Sequence, residues 1–350
     1  MTMSSDRGVL LIGNFLSSHV GNFSVCEDLV DHLQGDGTRV LTASNRMARL
    51  PRLLDIVSTT WRHRSEYSMA AVDVYSGLGF GLAEAACYTL RAAGKPFALT
   101  LRGGNLPVYG KRWPRRVRRL MKSATVVTTP SRYLLEQMCE YRDDIVLLPN
   151  PLHLERYPFR LRKSVSPKLV WIRSFHKTYN PTLAPAVVAN LANQFPDVEL
   201  TMVGPDKGDG SLEATREIAT ELGVLERIHF TGGVAKRDVP TYLDQADVFV
   251  STTDIDNTPV TVLEAMACGL CVVSTDVGGV PYLVEDGVNG ILVPPRDCDA
   301  MSDAIRCILT DSDLGRSLSM NSRSFVKQFD WVEILPRWNR LIEAVSAAKS

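Results

Sequence analysis

The sequence predicts an α/β protein of two domains, each a parallel β-sheet covered by helices on both faces. Three observations carry this. The chain has 350 residues, above the roughly 250–300 at which a single hydrophobic core stops growing. Short apolar runs (GVLLIGNF, DIVLLPN, KLVWIRSF, VELTMVG, RIHFTG, ADVFVST, LCVVSTD) alternate with stretches of helical periodicity, the pattern of strands buried between helices. A polar, basic, proline-containing stretch within NPLHLERYPFRLRKSVSPKLVWIR separates the halves, and a linker is expected near residues 152–167.

Composition is that of an ordinary globular protein: 45% hydrophobic and 22% charged, with 39 basic against 39 acidic residues. The balance gives no argument for a nucleic-acid partner. No apolar run approaches the roughly 18–20 residues of a membrane span, and MTMSSDRGVLLIGNF lacks a signal-peptide pattern, so a cytoplasmic location is expected. The seven cysteines, at 26, 87, 139, 268, 271, 298 and 307, match no zinc-knuckle or thioredoxin spacing. Cys268 and Cys271 in AMACGLC read as buried thiols.

The first half opens with GNFLSSHVGNFSVCEDLVDHL, read as strand, loop and helix, with Gly13 and Gly21 in a loop that is not GxGxxG. Further on, KRWPRRVRRLMKS gathers Lys111, Arg112, Arg115, Arg116, Arg118, Arg119 and Lys122 on a helix that also offers Trp113, Val117 and Leu120. A solvated helix face is the economical reading; contact of residues 111–122 with an anionic membrane surface is the alternative, ahead of nucleic acid. In the second half the strand–helix rhythm runs from Lys168 to about Asp311. A final amphipathic helix carries Trp331, Leu335, Trp338, Leu341 and Ile342.

Chemistry concentrates in ADVFVSTTDIDNTPVTVLEAMACGLCVVSTDVGGVPYLVEDGVNGILVPPRD. Thr258 before Pro259 predicts a helix with Thr258 as N-cap and Pro259 in its first turn. Its free N–H groups and positive dipole end would face the loop TDIDN beyond a strand's carboxyl end, where open α/β sheets hold ligands. Glu264 lies eight residues after Asp256; a carboxylate there suits paired ribose hydroxyls, and the bland alternative is a solvated helix acid. Arg173 and Lys177 follow the strand in KLVWIRSFHKTYNP, where a strand-end surface pair competes with neutralisation of a phosphate. Asp254-Ile255-Asp256 has the D-x-D spacing of metal-binding transferases, but its place before a helix argues against metal.

On these residues the chain resembles the family-four retaining glycosyltransferases, whose fold is GT-B. That family carries a Glu, seven residues, then a second Glu before AMAxG; here Asp256 stands first and Glu264 second, in LEAMACG. VTTPSRYLLEQM, VLLPNPLHLERY, LTMVGPDKG, IHFTGGVAKRDVPTYLDQADVFVS and DVGGVPYLVEDGVNGILVPPRD extend the likeness over most of residues 125–310. The resemblance implies two Rossmann-like domains facing a central cleft: 1–160 for the acceptor, 161–328 for the nucleotide sugar, and a helix, 329–350, packing back toward the first. It implies that Glu264 binds the donor ribose, that Asp256 approaches the donor sugar, and that Arg173 and Lys177 stabilise the leaving diphosphate. Gly204, Gly233, Val234, Asn257, Thr258 and Pro259 would complete the donor site, and Gly21 and Asn22 would line the cleft beside the diphosphate and acceptor.

Many relatives place a His where LTLRGGNLP has Arg102. An arginine is not a general base, so Arg102 would instead bind a phosphate or an acidic sugar. The expected activity is transfer of a hexosyl group from a UDP- or GDP-sugar to a glycan or lipid-linked acceptor, without cofactor or metal. A nucleotide-sugar epimerase or phosphorylase-like enzyme, and a non-catalytic nucleotide-sugar-binding protein, are the competing readings.

Overall fold

The computed structural model describes residues 8–15 and 25–348. The chain divides into two compact units, one comprising Met1–Pro151 with Trp331–Ser350, the other Leu152–Asp330.

The first unit alternates β1 (Gly8–Ile12), α1 (Val25–Gly35), β2 (Val40–Ala43), α2 (Arg49–Arg62), β3 (Tyr67–Val74), α3 (Leu78–Ala92), β4 (Phe97–Leu101), α4 (Leu106–Arg112), α5 (Pro114–Ser123), β5 (Val126–Thr129), α6 (Arg132–Met138) and β6 (Val146–Leu147). Its six strands form one parallel sheet in the order β2-β1-β3-β4-β5-β6. β1 is buried along its whole length, as a central parallel strand must be. Its side chains divide by the two-residue period of a strand. Leu10 and Ile12 join the core that contains Phe80, Leu90 and Leu120; Val9 and Leu11 join Leu29, Leu33, Trp331 and Trp338.

The second unit runs β7 (Lys168–Ile172), α7 (Leu183–Ala192), β8 (Glu199–Val203), α8 (Ser211–Glu221), β9 (Ile228–Gly232), α9 (Val239–Asp244), β10 (Val248–Ser251), α10 (Val260–Ala267), β11 (Cys271–Thr275), β12 (Ile291–Val293), α11 (Cys298–Thr310) and α12 (Ser312–Val326). The sheet order is β12-β11-β10-β7-β8-β9. Strand order therefore reverses between β7 and β10, the position where doubly wound sheets open a crevice at their carboxyl edge. Val170 and Ile172 face α9 and α10, while Leu169 and Trp171 face α7, α8 and α11. Cys268 and Cys271 are fully buried free thiols, and burial first of all pushes both up to about 12.

Three expectations are corrected. The stretch 152–167 is not a loose linker: Leu152, Leu154 and Tyr157 enter the core of the second unit. The wholly buried Arg162 packs its guanidinium against Asp247 and donates to the carbonyl of Ala246 at 2.8 Å. The division accordingly falls at Pro151/Leu152 instead of 160/161. The last helix, α13 (Trp331–Ala347), starts two residues later than the expected 329; it does pack back on the first unit as expected, with Trp331, Ile334, Trp338 and Val345 buried there. The basic run makes two helices, α4 and α5, broken at Trp113, which is 47% exposed. Among the described residues no helix is long and apolar enough to cross a membrane.

Candidate functional site

Arg173 is the first residue beyond β7, and the loop 252–259 follows β10, so the two sit side by side at the carboxyl edge where strand order reverses. Hydrogen bonds to backbone carbonyls hold these segments together. Asp254 N–H donates to the Thr178 carbonyl at 2.9 Å, the Thr252 hydroxyl to the Tyr179 carbonyl at 2.8 Å, and the Thr275 hydroxyl to the Thr253 carbonyl at 2.5 Å.

Glycine packing sets the rest. A Cβ on Gly279 would stand 1.6 Å from the Asn257 oxygen, and one on Gly278 2.0 Å from that of Asp256. The Gly-Gly turn therefore lies directly on the acidic loop, and Gly279 N–H donates to the Asp256 carbonyl at 2.8 Å. In the same way a Cβ on Gly204 would stand 1.7 Å from the Arg173 oxygen, and the Gly204 N–H bonds the Gly232 carbonyl at 2.9 Å. Gly233 packs on Pro205, and Val234 leans on the core beneath α9 and α10.

Arg173 forms an ion pair with Asp256 and lies over the Tyr179 ring, 4.8 Å from its centroid. Burial lowers its pKa from the usual arginine value, with Tyr179 and Glu264 acting against the shift. Lys177 opens a 3₁₀ turn, Lys177–Tyr179, and its exposed ammonium makes no ion pair with any described residue. Its backbone N–H donates to Asp209 at 2.8 Å. Hydrogen bonding from Ser211, then from that N–H, holds the Asp209 carboxyl down at about 2.

Glu264 is 1% exposed, which removes the reading of a solvated helix acid. One carboxylate oxygen takes the ammonium of Lys236, from the 3₁₀ turn Lys236–Asp238; the other is buried without a hydrogen-bond partner among the described residues. The Tyr157 phenol lies close by, its pKa raised by burial and then by the Glu264 charge. The hydroxyl of Thr258 is likewise buried and unpartnered among the described residues.

Thr258 does not cap the helix. α10 begins at Val260, with Pro259 in the cap position at ψ 99° and no side-chain cap bond. The Gly-Gly turn pins Asp256 and Asn257, and a residue before proline favours extended backbone, so the helix starts one residue late and the Thr258 hydroxyl is not spent on a cap. In the D-x-D segment Asp254 accepts from Arg296 at 2.9 and 3.2 Å and Asp256 pairs with Arg173. Each carboxylate thus meets a guanidinium. The sequence reading missed Lys236, whose only signal was its place after the FTGGV turn.

The first unit has its own switch point, between β1 and β3. A cavity of about 250 Å³ opens there, lined by Gly13, Asn14, Arg52, Asp73, Tyr75 and Ser76. Arg52 donates to the Gly13 carbonyl at 2.8 Å and to Asn14 Oδ1 at 2.6 Å, while its Nε is buried and unpartnered among the described residues. Arg102 does not present a free cation. Its side chain is 9% exposed and donates to Asp73 at 2.6 Å and to Asn150 at 2.7 Å. Burial works against its charge, but Asp73 outweighs burial and the pKa stands above the usual arginine value. Its guanidinium ties Asp73 to Asn150. Gly21 and Asn22 lie outside the described residues.

A doubly wound unit with its cations, buried carboxylate and helix start gathered at the switch point has the layout of α/β domains that hold a ligand at the carboxyl edge of their sheet. More narrowly, residues 155–325 match the family model for glycosyl transferases group 1, and the second unit is a glycosyltransferase domain of that family. A GDP-mannose-dependent α-(1-6)-phosphatidylinositol monomannoside mannosyltransferase of Mycolicibacterium smegmatis is 28% identical over 67% of this chain and 65% of its own. A D-inositol 3-phosphate glycosyltransferase of Mycobacterium ulcerans is 31% identical over 43% of this chain and 34% of its own. The chain thus spans less than two thirds of the length of these curated relatives. Anabaena HepE, solved with UDP, shares the fold of 97% of this chain and 100% of its own at a TM-score of 0.75 and 17% identity. Sucrose-phosphate synthase of Thermosynechococcus elongatus does so over 96% and 98%, at 0.77 and 19%. The two-domain α/β fold is that of the GT-B glycosyltransferases.

Proposed function

We propose that the protein transfers a hexosyl group from a UDP- or GDP-linked sugar to a hydroxyl of a glycan or lipid-linked acceptor, with retention of anomeric configuration. The observation that carries this is a pair of buried, unpartnered polar atoms, Glu264 Oε2 and Thr258 Oγ1, at the switch point of the second unit. An unmet buried polar atom costs about 1–3 kcal/mol, a cost that hydroxyls of a bound ribose and sugar would remove. Glu264 then takes the ribose, Asp256 and Asn257 orient the sugar, Gly204, Gly233 and Val234 border the base, and Pro259 leads into the helix whose N–H groups face the phosphates.

As the glycosyl–phosphate bond breaks, charge builds on the diphosphate, and fixed cations stabilise it. Lys177 is free to do so, and Arg173 does so by exchanging its Asp256 partner for phosphate. The departing phosphate accepts the acceptor's proton, so no protein base is needed at Arg102. The polar cavity at Asn14, Arg52 and Tyr75 is the place in the first unit suited to the acceptor's polar group. GDP-mannose is the donor named for one relative and UDP the ligand of one structural neighbour. A place on the inner face of a membrane belongs to the same reading, through residues 111–122.

The test is calorimetry with UDP, GDP, their monophosphates and their hexose conjugates, alongside turnover. Lys177→Ala and Arg173→Ala should lower turnover about a hundredfold and weaken diphosphates far more than monophosphates. Near-normal turnover in both variants, or no response to any nucleotide, would sink the proposal.

A further inference from the structure

Two cavities in the surface of the first unit share a wall. The larger, about 650 Å³, lies among α2, α3 and α5 and is lined chiefly by apolar side chains, among them Val57, Trp61, Ala85, Tyr88 and Leu120. The smaller, about 440 Å³, is lined by Arg112, Trp113, Arg115, Arg116 and Arg119 around a single acid, Glu84. Glu84 and Arg119 line both, so an apolar groove runs directly into a cationic one. The larger falls within the roughly 300–1,000 Å³ of sites that take one small molecule.

The charge of the smaller cavity is not balanced from within. Glu84 is taken by Arg116. Arg118 turns away, toward the Glu140 carbonyl and the Tyr141 ring. Arg112, Arg115 and Arg119 are exposed and make no ion pair among the described residues, Arg112 lying over the Trp113 ring at 5.8 Å from its centroid. A soluble anion would have no use for the apolar groove, and an uncharged chain none for the arginines. The combination suits a molecule with a hydrocarbon tail and an anionic head.

We propose that this pair of cavities seats a single anionic phospholipid of a membrane, one acyl chain in the groove and the phosphate among Arg112, Arg115 and Arg119. The site differs from a charged helix face lying on a bilayer, because it takes one lipid and depends on the shape of the groove. A chain moving from bilayer to groove stays in apolar surroundings, so the arginines decide which lipid is held, and salt weakens the preference. The inference does not rest on the donor-site reading.

The experiment uses the whole chain and short-chain lipids below their micelle concentration, followed by calorimetry at low salt. Dioctanoyl-phosphatidylglycerol should bind one to one. Dioctanoyl-phosphatidylcholine and glycerol phosphate, lacking the charge and the tail respectively, should each bind at least tenfold more weakly. Ala85→Trp, which fills the groove, and the pair Arg115→Glu with Arg119→Glu should each weaken the anionic lipid at least tenfold. Tyr88→Asp, at a side chain 77% exposed and so harmless to the core, should act like Ala85→Trp and guards against a misfolded variant. Unchanged lipid affinity in both Ala85→Trp and Tyr88→Asp, with vesicle binding still salt-sensitive, would reduce the site to surface adsorption and overturn the proposal. Equal affinity for the two lipids, or a lipid-free dimer that Ala85→Trp abolishes, would overturn it too.

Discussion

The Lys236–Glu264 pair is asymmetric, and that asymmetry separates stability from binding. Glu264 is 1% exposed while the lysine side chain is 53% exposed. In Glu264→Gln the lysine simply hydrates, so the loss should stay within about 1 kcal/mol, the range of pairs open to solvent. In Lys236→Met a carboxylate is left in the core without its counter-ion, and breaking a buried pair costs about 3–5 kcal/mol; water reaching the lysine end puts this case near about 3. Nucleotide affinity should follow the opposite order. A hydrogen bond to a charged group contributes about 1.5–3 kcal/mol, which at 1.4 kcal/mol per decade is a roughly 10- to 150-fold weaker UDP or GDP in Glu264→Gln. Urea unfolding and calorimetry on the same three proteins read both quantities. A Glu264→Gln protein with wild-type nucleotide affinity, or a Lys236→Met protein as stable as wild type, would refute the reasoning.

Two further outcomes follow from packing. Arg102→Met leaves Asp73 buried with the Cys26 thiol, which donates to it at 2.7 Å; a loss of about 3–5 kcal/mol should appear in the unfolding of the first unit, and a shift under about 0.5 kcal/mol would show that the pair is dispensable. Gly279→Ala should cost about 1–3 kcal/mol and weaken nucleotide binding with it, since its Cβ would fall 1.6 Å from the Asn257 oxygen. Gly35→Ala, where a Cβ meets nothing within 4 Å, is the control, and equal behaviour of the two in melting and calorimetry would dissociate the Gly-Gly turn from the site.

β1, β7, β10 and β11 were legible because each is built round a short apolar run; β2, β3 and β5, with polar residues inside them, were not singled out. β1 and β7 need no partner information to be read as buried between helix layers. Glu264 and Arg173 were legible as candidate site residues because a motif and a strand end mark them. What escaped was pairing at a distance. Lys236 meets Glu264 across 28 positions and Asp73 meets Arg102 across 29, and local spacing carries neither. Arg162 belongs to a stretch whose prolines and charges signal a linker, yet its partner Asp247 stands 85 positions on. The Thr258 cap failed for a similar reason, since the turn that delays the helix comes from Gly278 and Gly279, after the helix has ended.

The return of α13 to the first unit bears on the order in which the protein can be made. Translation delivers β1 to β6 first, but one face of that sheet lacks Trp331, Ile334 and Trp338 until the whole second unit has been made. The second unit, continuous from Leu152 to Asp330, has its whole core as soon as its own last residue is synthesised. The half that leaves the ribosome first is thus the half completed last, and in the interval Val9, Leu11 and Leu33 present an uncovered apolar face to chaperones. A stop codon just before Trp331 would strike hardest at the distant amino-terminal unit.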